Sequence, residues 1–324
     1  MNVLLELREK ARRAQRRIVL PETQDARVLQ AAAILAKEKL CVPVLLDNGR
    51  MAASPPQGCE VITFARDPRA VKFAEQLYEK RKAKGLTLDE ARAKCSQDPL
   101  YFGAFLVASG DCAGAVAGSE AATADVLRAG LQVIGLARGI DTLSSCFLMV
   151  FPDKVLTYAD CGVVPNPTSE QLVDIALAAS ESHRRLVGES PRVALLSASN
   201  FGTVDDASAR KMRDALELVR EWAPDLEIDG EMQADAALLP QVRAAAVNDS
   251  TLTGEANVLV MPSRDAANIA MHLLTVLGEG VPVGPLLHGL KVPAHILTAS
   301  ATARRIVNLS AVAAVDAQAL AERR

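Results

Sequence analysis

The residues best suited to chemistry lie in one stretch near the end of the chain, His295 to Asn308, which reads H-I-L-T-A-S-A-T-A-R-R-I-V-N. Thr298, Ser300 and Thr302 stand ahead of an apolar run, and their hydroxyls suit the cap of a helix. Arg304 and Arg305 then fall in its first turn, where acids are ordinarily favoured because unpaired N–H groups make that end positive. Two guanidinium groups there are tolerated when an anion lies between them, or when they point to water and pair with surface acids. His295 and His288 flank a turn; with His183 and His272 they are the four histidines, and none sits at metal-ligand spacing.

Further candidates lie along the chain. The block D-G-E-M-Q-A-D-A-A places Asp229, Glu231 and Asp235 within seven residues, just after an apolar strand. Three acids can bind a divalent cation through oxygen, and equally can cap a helix and pair with arginines. Four loops follow strand-like runs: Gly118-Ser119, Asn166 in P-N-P, Ser199 and Asn200 in S-A-S-N-F-G, and Asn268 in P-S-R-D-A-A-N. Ligands of open α/β sheets bind beyond the carboxyl ends of strands, which is where these loops fall. The run V-G-P-L-L-H-G-L adds Gly289. Neither G-x-x-x-x-G-K-[ST] nor G-x-G-x-x-G occurs, which removes the usual support for nucleotide hydrolysis and dinucleotide binding.

The elements that must position these residues alternate between period 2 and period 3.6. A helix over the first 14 residues leads to a strand at Ile18 to Leu20, a helix from Asp25 to Glu38 and a strand C-V-P-V-L-L, a parallel crossover unit. A charged helix pair follows from Pro68 to Ser96, then a helix with Pro99 in its first turn, and then A-G-A-V-A-G-S-E ahead of a helix carrying Arg128. From Thr142 two apolar strands joined by P-D-K read as a hairpin, followed by further strand–helix alternation. With 324 residues the chain exceeds the roughly 250–300 that one core serves, so two domains with a cleft are expected, with breaks near residues 143 and 296.

Composition narrows the function classes. Half the residues are hydrophobic and 3% aromatic, so the core is aliphatic, as in α/β proteins. The 36 basic and 39 acidic residues give a net charge of −3 with no basic stripe, which argues against nucleic acid as the partner. Six widely spaced cysteines without C-x-x-C read as reduced cytoplasmic thiols. No apolar run approaches the ~18 residues of a membrane span. The arginines before residue 18 are interrupted by Glu6 and Glu9 and lead into R-I-V-L-P-E, so they read as part of the fold rather than as a targeting peptide.

At these residues the chain resembles the phosphate acetyltransferases (phosphotransacetylases) of the phosphate acetyl/butyryltransferase family. The resemblance runs over nearly the whole length, through R-K-A-K-G, D-P-L-Y-F-G, T-A-D-V-L-R-A-G-L-Q-V-I, A-D-C-G-V-V-P-N-P-T, R-V-A-L-L-S, D-G-E-M-Q-A-D-A-A, A-N-V-L-V-M-P and V-G-P-L-L-H-G-L. The T-L-S-S-C-F-L-M and A-D-C-G-V-V-P-N-P segments resemble the ethanolamine-utilisation type. The second half is also similar to the phosphotransacetylase-like C-terminal domain of bacterial NADP malic enzymes.

The resemblance implies a homodimer with the isocitrate/isopropylmalate dehydrogenase-like fold. The first α/β domain would be residues 1–143 and 296–324, and the second, 144–295, would be inserted in it. It implies conversion of acetyl-CoA and phosphate to acetyl phosphate and CoA, with no cofactor beyond CoA as substrate and no metal. The family's two CoA-binding arginines match Arg81 and Arg128. Where the family reads L-S-R-G-C-S, this chain reads L-T-A-S-A-T: the serine becomes Thr298, its arginine neighbour Ala299, the cysteine Ala301, and the proposed basic aspartate falls on Arg305. The expected site is therefore Thr298, Arg304, Arg305 and His295 for catalysis. Arg81, Arg128, Ser119, Asn166, Ser199, Asn200, Asp229, Glu231, Asn268 and Gly289 are expected to bind substrate. The malic enzyme likeness implies the alternative of an acetyl-CoA sensor that binds without turnover.

Overall fold

A computed structural model describes residues 3–247 and 249–322. In chain order its elements begin α1 (Val3–Ala14), β1 (Arg17–Leu20), α2 (Ala26–Lys37), β2 (Val42–Asp47), β3 (Glu60–Thr63), α3 (Arg69–Arg81), α4 (Leu88–Gln97), α5 (Pro99–Ala108), β4 (Gly114–Ala117) and α6 (Thr123–Val133). There follow β5 (Ser144–Val150), β6 (Val155–Ala159), α7 (Ser169–Val187), β7 (Arg192–Leu196), α8 (Ala207–Trp222), β8 (Glu227–Met232), α9 (Ala234–Leu238) and α10 (Pro240–Ala246). The last are β9 (Val258–Val260), α11 (Arg264–Leu277), β10 (Val281–His288), β11 (Ala294–Ile296) and α12 (Ala303–Glu322).

The chain divides into two compact units, one formed by residues 4–138 with the segment from 290 onward, the other by 139–289 together with Val3. The second unit is thus an insertion in the first. The breaks lie upstream of the expected 143 and 296. The later one moves because β11 pairs in parallel with β4, His295 opposite Val116, which draws residues 290–295 into the flanking unit.

The flanking unit carries a sheet in the order β11-β4-β1-β2-β3, with every pairing parallel. From β1 the chain moves outward to β2 and β3 on one side and later returns on the other side as β4. A crevice therefore opens at the carboxyl ends of β1 and β4, where the direction of winding reverses. Helix α5 is capped by the Asp98 carboxylate on the Leu100 N–H, has Pro99 in its first turn, and is buried from Tyr101 to Val107. An all-round apolar helix belongs in a core. Its Phe105 ring stacks on Phe73 at 4.8 Å with the planes 9° apart.

The inserted unit carries a mixed sheet in the order β10-β5-β6-β9-β7-β8. The β5–β6 hairpin forms as expected, with Cys146 opposite Ala159, and the pairings among β6, β9, β7 and β8 are parallel. Strand β10 was concealed by Pro282 and Pro285. It lies at the sheet edge, where a proline withholds no needed N–H, and a register shift between Val283 and Leu286 accommodates Gly284-Pro285. Helices α4 and α7 begin with reciprocal capping boxes, Thr87 with Glu90 and Thr168 with Gln171.

Candidate active site

At the carboxyl end of β4 the chain turns sharply at Gly118, whose φ of +100° suits glycine. A Cβ there would fall 3.1 Å from both Ile296 Cγ2 and the Leu297 carbonyl oxygen. The N–H groups after this turn, in the Gly118-Ser119 loop, converge on an anion that the protein supplies itself. One oxygen of Glu22, just past β1, accepts from Gly118 N (2.6 Å), Ser119 N (2.8 Å) and Ser119 Oγ (3.2 Å). Its other oxygen accepts from Glu120 N (3.0 Å) and Ala121 N (2.7 Å). Backbone N–H groups curled this way bind an anion, and the buried Glu22 carboxylate is that anion. Ser119, assigned to substrate in the sequence, is therefore buried and committed to Glu22.

Arg27 on α2 joins this turn to the start of α12. Its Nη2 donates to the Ser119 carbonyl (3.0 Å), and its Nη1 to the carbonyls of Ala299 (2.9 Å) and Ala301 (2.8 Å). Asp25 grips the same guanidinium through Nε and Nη2. Burial works to raise the Asp25 pKa, but its bonds to Arg27 prevail and hold it below the ordinary carboxylate range. Neither Glu22 nor Arg27 stood out in the sequence. The available signal was P-E-T-Q-D-A-R directly after the first strand, an acid at a strand end and a helix cap with a basic residue two positions on.

The stretch fixed by Arg27 is the one expected to carry chemistry. Thr302 Oγ1 accepts from the Arg305 N–H at 3.4 Å, so it caps α12, while the Thr298 and Ser300 hydroxyls lie 3.4 Å apart. Arg304 is exposed and Arg305 half-buried. Among the described residues, no acid or hydrogen-bond acceptor meets either guanidinium. Two cations at the positive end of a helix with no protein anion between them leave a seat for an external one. His295 does not join them. It is buried in β11, 1% exposed, with Nε2 3.1 Å from Asp316 of α12, so its ring faces the interior and not the helix start.

The charges of Arg81 and Arg128 both act on the phenol of Tyr101. Burial chiefly raises the pKa of that phenol and Asp98 adds to the rise, while the charges of Arg128 and Arg81 work against it. The Tyr101 hydroxyl donates to Gln132 Oε1 at 2.9 Å, and Lys94 Nζ lies 4.5 Å from the ring centroid. Arg128 also meets Asp125 one turn earlier, where both are solvent-exposed and the pair is weak.

In the inserted unit the three acids do not form a metal set. Asp229 and Glu231 lie within β8 rather than beyond it. Asp229 accepts from Arg220 (3.0 Å), Ser250 Oγ (2.7 Å) and Thr251 N (3.0 Å). Glu231 Oε1 accepts from Arg213 (3.0 Å) and Gly202 N (2.8 Å), and Asp235 accepts from its own helix at Ala236 N. Each acid is drawn to a different neighbour, and no group of three His, Cys, Asp or Glu among the described residues is placed to hold a metal ion.

The other candidates gather at the strand ends of this unit. Lys211 donates to Asn166 Oδ1 and to the Pro262 carbonyl, both at 2.8 Å, tying the loops after β6 and β9; burial lowers its pKa. Asn200 exchanges hydrogen bonds with Gln233, and the buried Ser199 hydroxyl accepts from Val204 N. Asn268 is exposed on α11, and Gly289 follows β10 with a φ of +99°. His288, at the end of β10, is also interior, 2.8 Å from Ser182 Oγ. Asp160, unnoticed in the sequence, plays the part of Glu22 here: it accepts from Ser145 N and Oγ and from Gly162, Val163 and Val164 N.

A phosphate acetyltransferase of Acetivibrio thermocellus is 38% identical over 98% of this chain and 99% of its own length. An NADP-dependent malic enzyme of Escherichia coli is 39% identical over 95% of the chain, which corresponds to 42% of that protein. Among solved structures, a phosphotransacetylase from Streptococcus pyogenes superposes with a TM-score of 0.91 at 33% identity, covering 98% of each chain. The model of the family described as phosphate acetyl/butaryl transferase matches residues 2–314. A match of that extent, together with relatives alike from end to end, makes this chain a member of the phosphate acetyl/butaryl transferase family.

Proposed function

We propose that this protein interconverts acetyl-CoA plus phosphate with acetyl phosphate plus CoA, using no cofactor beyond CoA as substrate. The observation that carries the assignment of roles is the start of α12, where, among the described residues, Arg304 and Arg305 meet no protein anion beside the hydroxyls of Thr298, Ser300 and Thr302. The phosphoryl group sits against that positive end, and Thr298 donates to the acyl carbonyl oxygen as it becomes an oxyanion. Arg81 and Arg128 bind the phosphates of CoA.

In the thioester-forming direction, the CoA sulfur attacks the carbonyl carbon of acetyl phosphate and the carbon–oxygen bond to phosphate breaks. The thiol proton ends on the departing phosphate, so the step balances without a protein base, and the buried His295 is not required for it. The guanidinium groups stabilise the charge gathering on the leaving phosphate.

The acting unit is proposed to be a homodimer formed through α11. Ile269, Leu273, Val276 and Leu277 make a stripe at helical spacing and are 60%, 54%, 78% and 78% exposed. The stripe continues at Val281 of edge strand β10, 44% exposed. Large aliphatic side chains gathered on one face suit a self-complementary contact with a second copy. The six cysteines form no disulfide, which fits a reducing compartment, the cytoplasm, and no helix among the described residues is long and apolar enough to cross a membrane.

The test is CoA-dependent thioester formation from acetyl phosphate, run beside equilibrium binding of acetyl-CoA. Turnover saturating in both substrates is expected. Tight acetyl-CoA binding without turnover would overturn catalysis in favour of a sensor. For the dimer, Val276→Asp is expected to halve the mass measured by light scattering, and an unchanged mass rejects that face.

A further inference from the structure

We propose that Glu22 is a positioning residue for acyl transfer: its carboxylate sets the Gly118–Ala121 turn and, through Arg27, the loop that starts α12. The proposal rests on the acyl-transfer reading above. Its basis is a chain of rigid connections. Glu120 N–H and the Ser119 carbonyl belong to one peptide plane, and a peptide plane does not flex. Glu22 holds the N–H side of that plane at 3.0 Å, and Arg27 holds the carbonyl side at 3.0 Å. The same guanidinium then reaches the carbonyls of Ala299 and Ala301, which bracket Ser300 and lie between Thr298 and the Thr302 cap. Asp25 fixes its third edge, so Arg27 transmits position rather than absorbing it.

The turn needs a full negative charge for this. Four consecutive backbone N–H groups, from Gly118 to Ala121, converge on Glu22, with the Ser119 hydroxyl as a fifth donor. An amide in its place offers one acceptor oxygen and a pair of donors, so one side of the turn would face N–H against N–H. Filling the turn from within also keeps phosphate out of it, which leaves the start of α12 as the anion seat. Glu22 itself touches no substrate and takes no part in bond making.

Glu22→Gln and Glu22→Gly test this in the full-length protein. Acetyl-CoA affinity, set by Arg81 and Arg128, is expected to stay within about twofold, while kcat falls on the order of tenfold to a hundredfold, as displacement of an aligned reacting group by about an ångström does. Formate, which is a carboxylate and not a substrate, is expected to restore part of the rate of Glu22→Gly in a saturable manner and to leave Glu22→Gln unchanged. Amide hydrogen exchange at residues 299–303 is expected to quicken in both variants. If Glu22→Gly does not fold, Glu22→Gln alone decides the matter.

An unchanged kcat in Glu22→Gln, or loss of acetyl-CoA affinity in proportion to kcat, overturns the positioning role. So does a Glu22→Gly rate indifferent to formate. If the unsubstituted protein shows no turnover, the acyl-transfer reading has failed instead. The exchange rates at residues 299–303 then decide alone whether Glu22 sets that loop.

Discussion

His183 makes stability depend on pH in a direction and amount that can be worked out. It lies on α7 facing β6, is fully buried, and its Nδ1 is 2.9 Å from Thr157 Oγ1. Burial is the first cause and the charge of Arg192 the second; together they push the imidazole down from its ordinary 6.5 to about 4. The Glu189 carboxylate, 3.9 Å from Nε2, would favour a proton, but it is half-exposed and beyond hydrogen-bond reach, so burial wins. Between pH 6.5 and about 4 the unfolded chain binds a proton that the folded one refuses. Stability therefore falls as pH falls through that window, by ~2 kcal/mol at pH 5 and ~3 kcal/mol by pH 4. His183→Gln keeps a polar head toward Thr157 and does not titrate. Urea unfolding from pH 7.5 to 4 is expected to show the gap between the two proteins shifting by those amounts, since their carboxylates contribute alike. Parallel stability curves, or an imidazole NMR titration with its midpoint above about 6, would refute the reasoning.

Three further outcomes are expected. Arg305→Ala raises the KM for acetyl phosphate about tenfold, the worth of one charge-assisted contact, and Arg304→Ala on top of it raises it again; unchanged kinetics in the double variant would remove phosphate from the start of α12. Arg81→Ala and Arg128→Ala each raise the KM for CoA about tenfold and leave that for acetyl phosphate alone, so an effect confined to acetyl phosphate would reverse the assignment. Phe105→Ala, which empties the stack on Phe73 in the α5 core, costs about 3–5 kcal/mol in denaturant unfolding, and a loss under about 1 kcal/mol would mean that α5 is not central.

Much of this molecule is legible where the signal is local. Asp98 followed by Pro99 marks the start of α5, and P-D-K between two apolar runs marks the β5–β6 hairpin, because caps and turns act over a few residues. Strand β10 is not legible in that way, since two prolines argue against a strand until its place at a sheet edge is known. Nor is the short, mostly exposed β3. The acids Asp229 and Glu231 read as loop residues because charges in a strand are costly; Arg220, Arg213 and the surrounding N–H groups lift that cost from outside the segment.

The candidate site divides along the same line. Thr302 as cap with Arg304 and Arg305 in the first turn is visible in four adjacent letters. The turn that Glu22 fills is not, because its donors stand almost a hundred residues away and meet it only when β1 pairs with β4. Arg27 reaches further still, to Ala299 and Ala301, across the whole insertion.

That insertion has a simple geometry at its root. Leu136, just before it, forms an antiparallel bridge with Leu290, just after it, and Lys291 N donates to the Gly135 carbonyl at 3.1 Å. The two cut ends of the flanking unit are thus stitched side by side, and none of its strand pairings depends on chain from residues 139–289. The inserted unit is expected to behave as a cassette: a few glycines joining residue 138 to 290 would keep all five strand partners of the flanking sheet, and another domain whose ends lie equally close could be spliced in at the same seam.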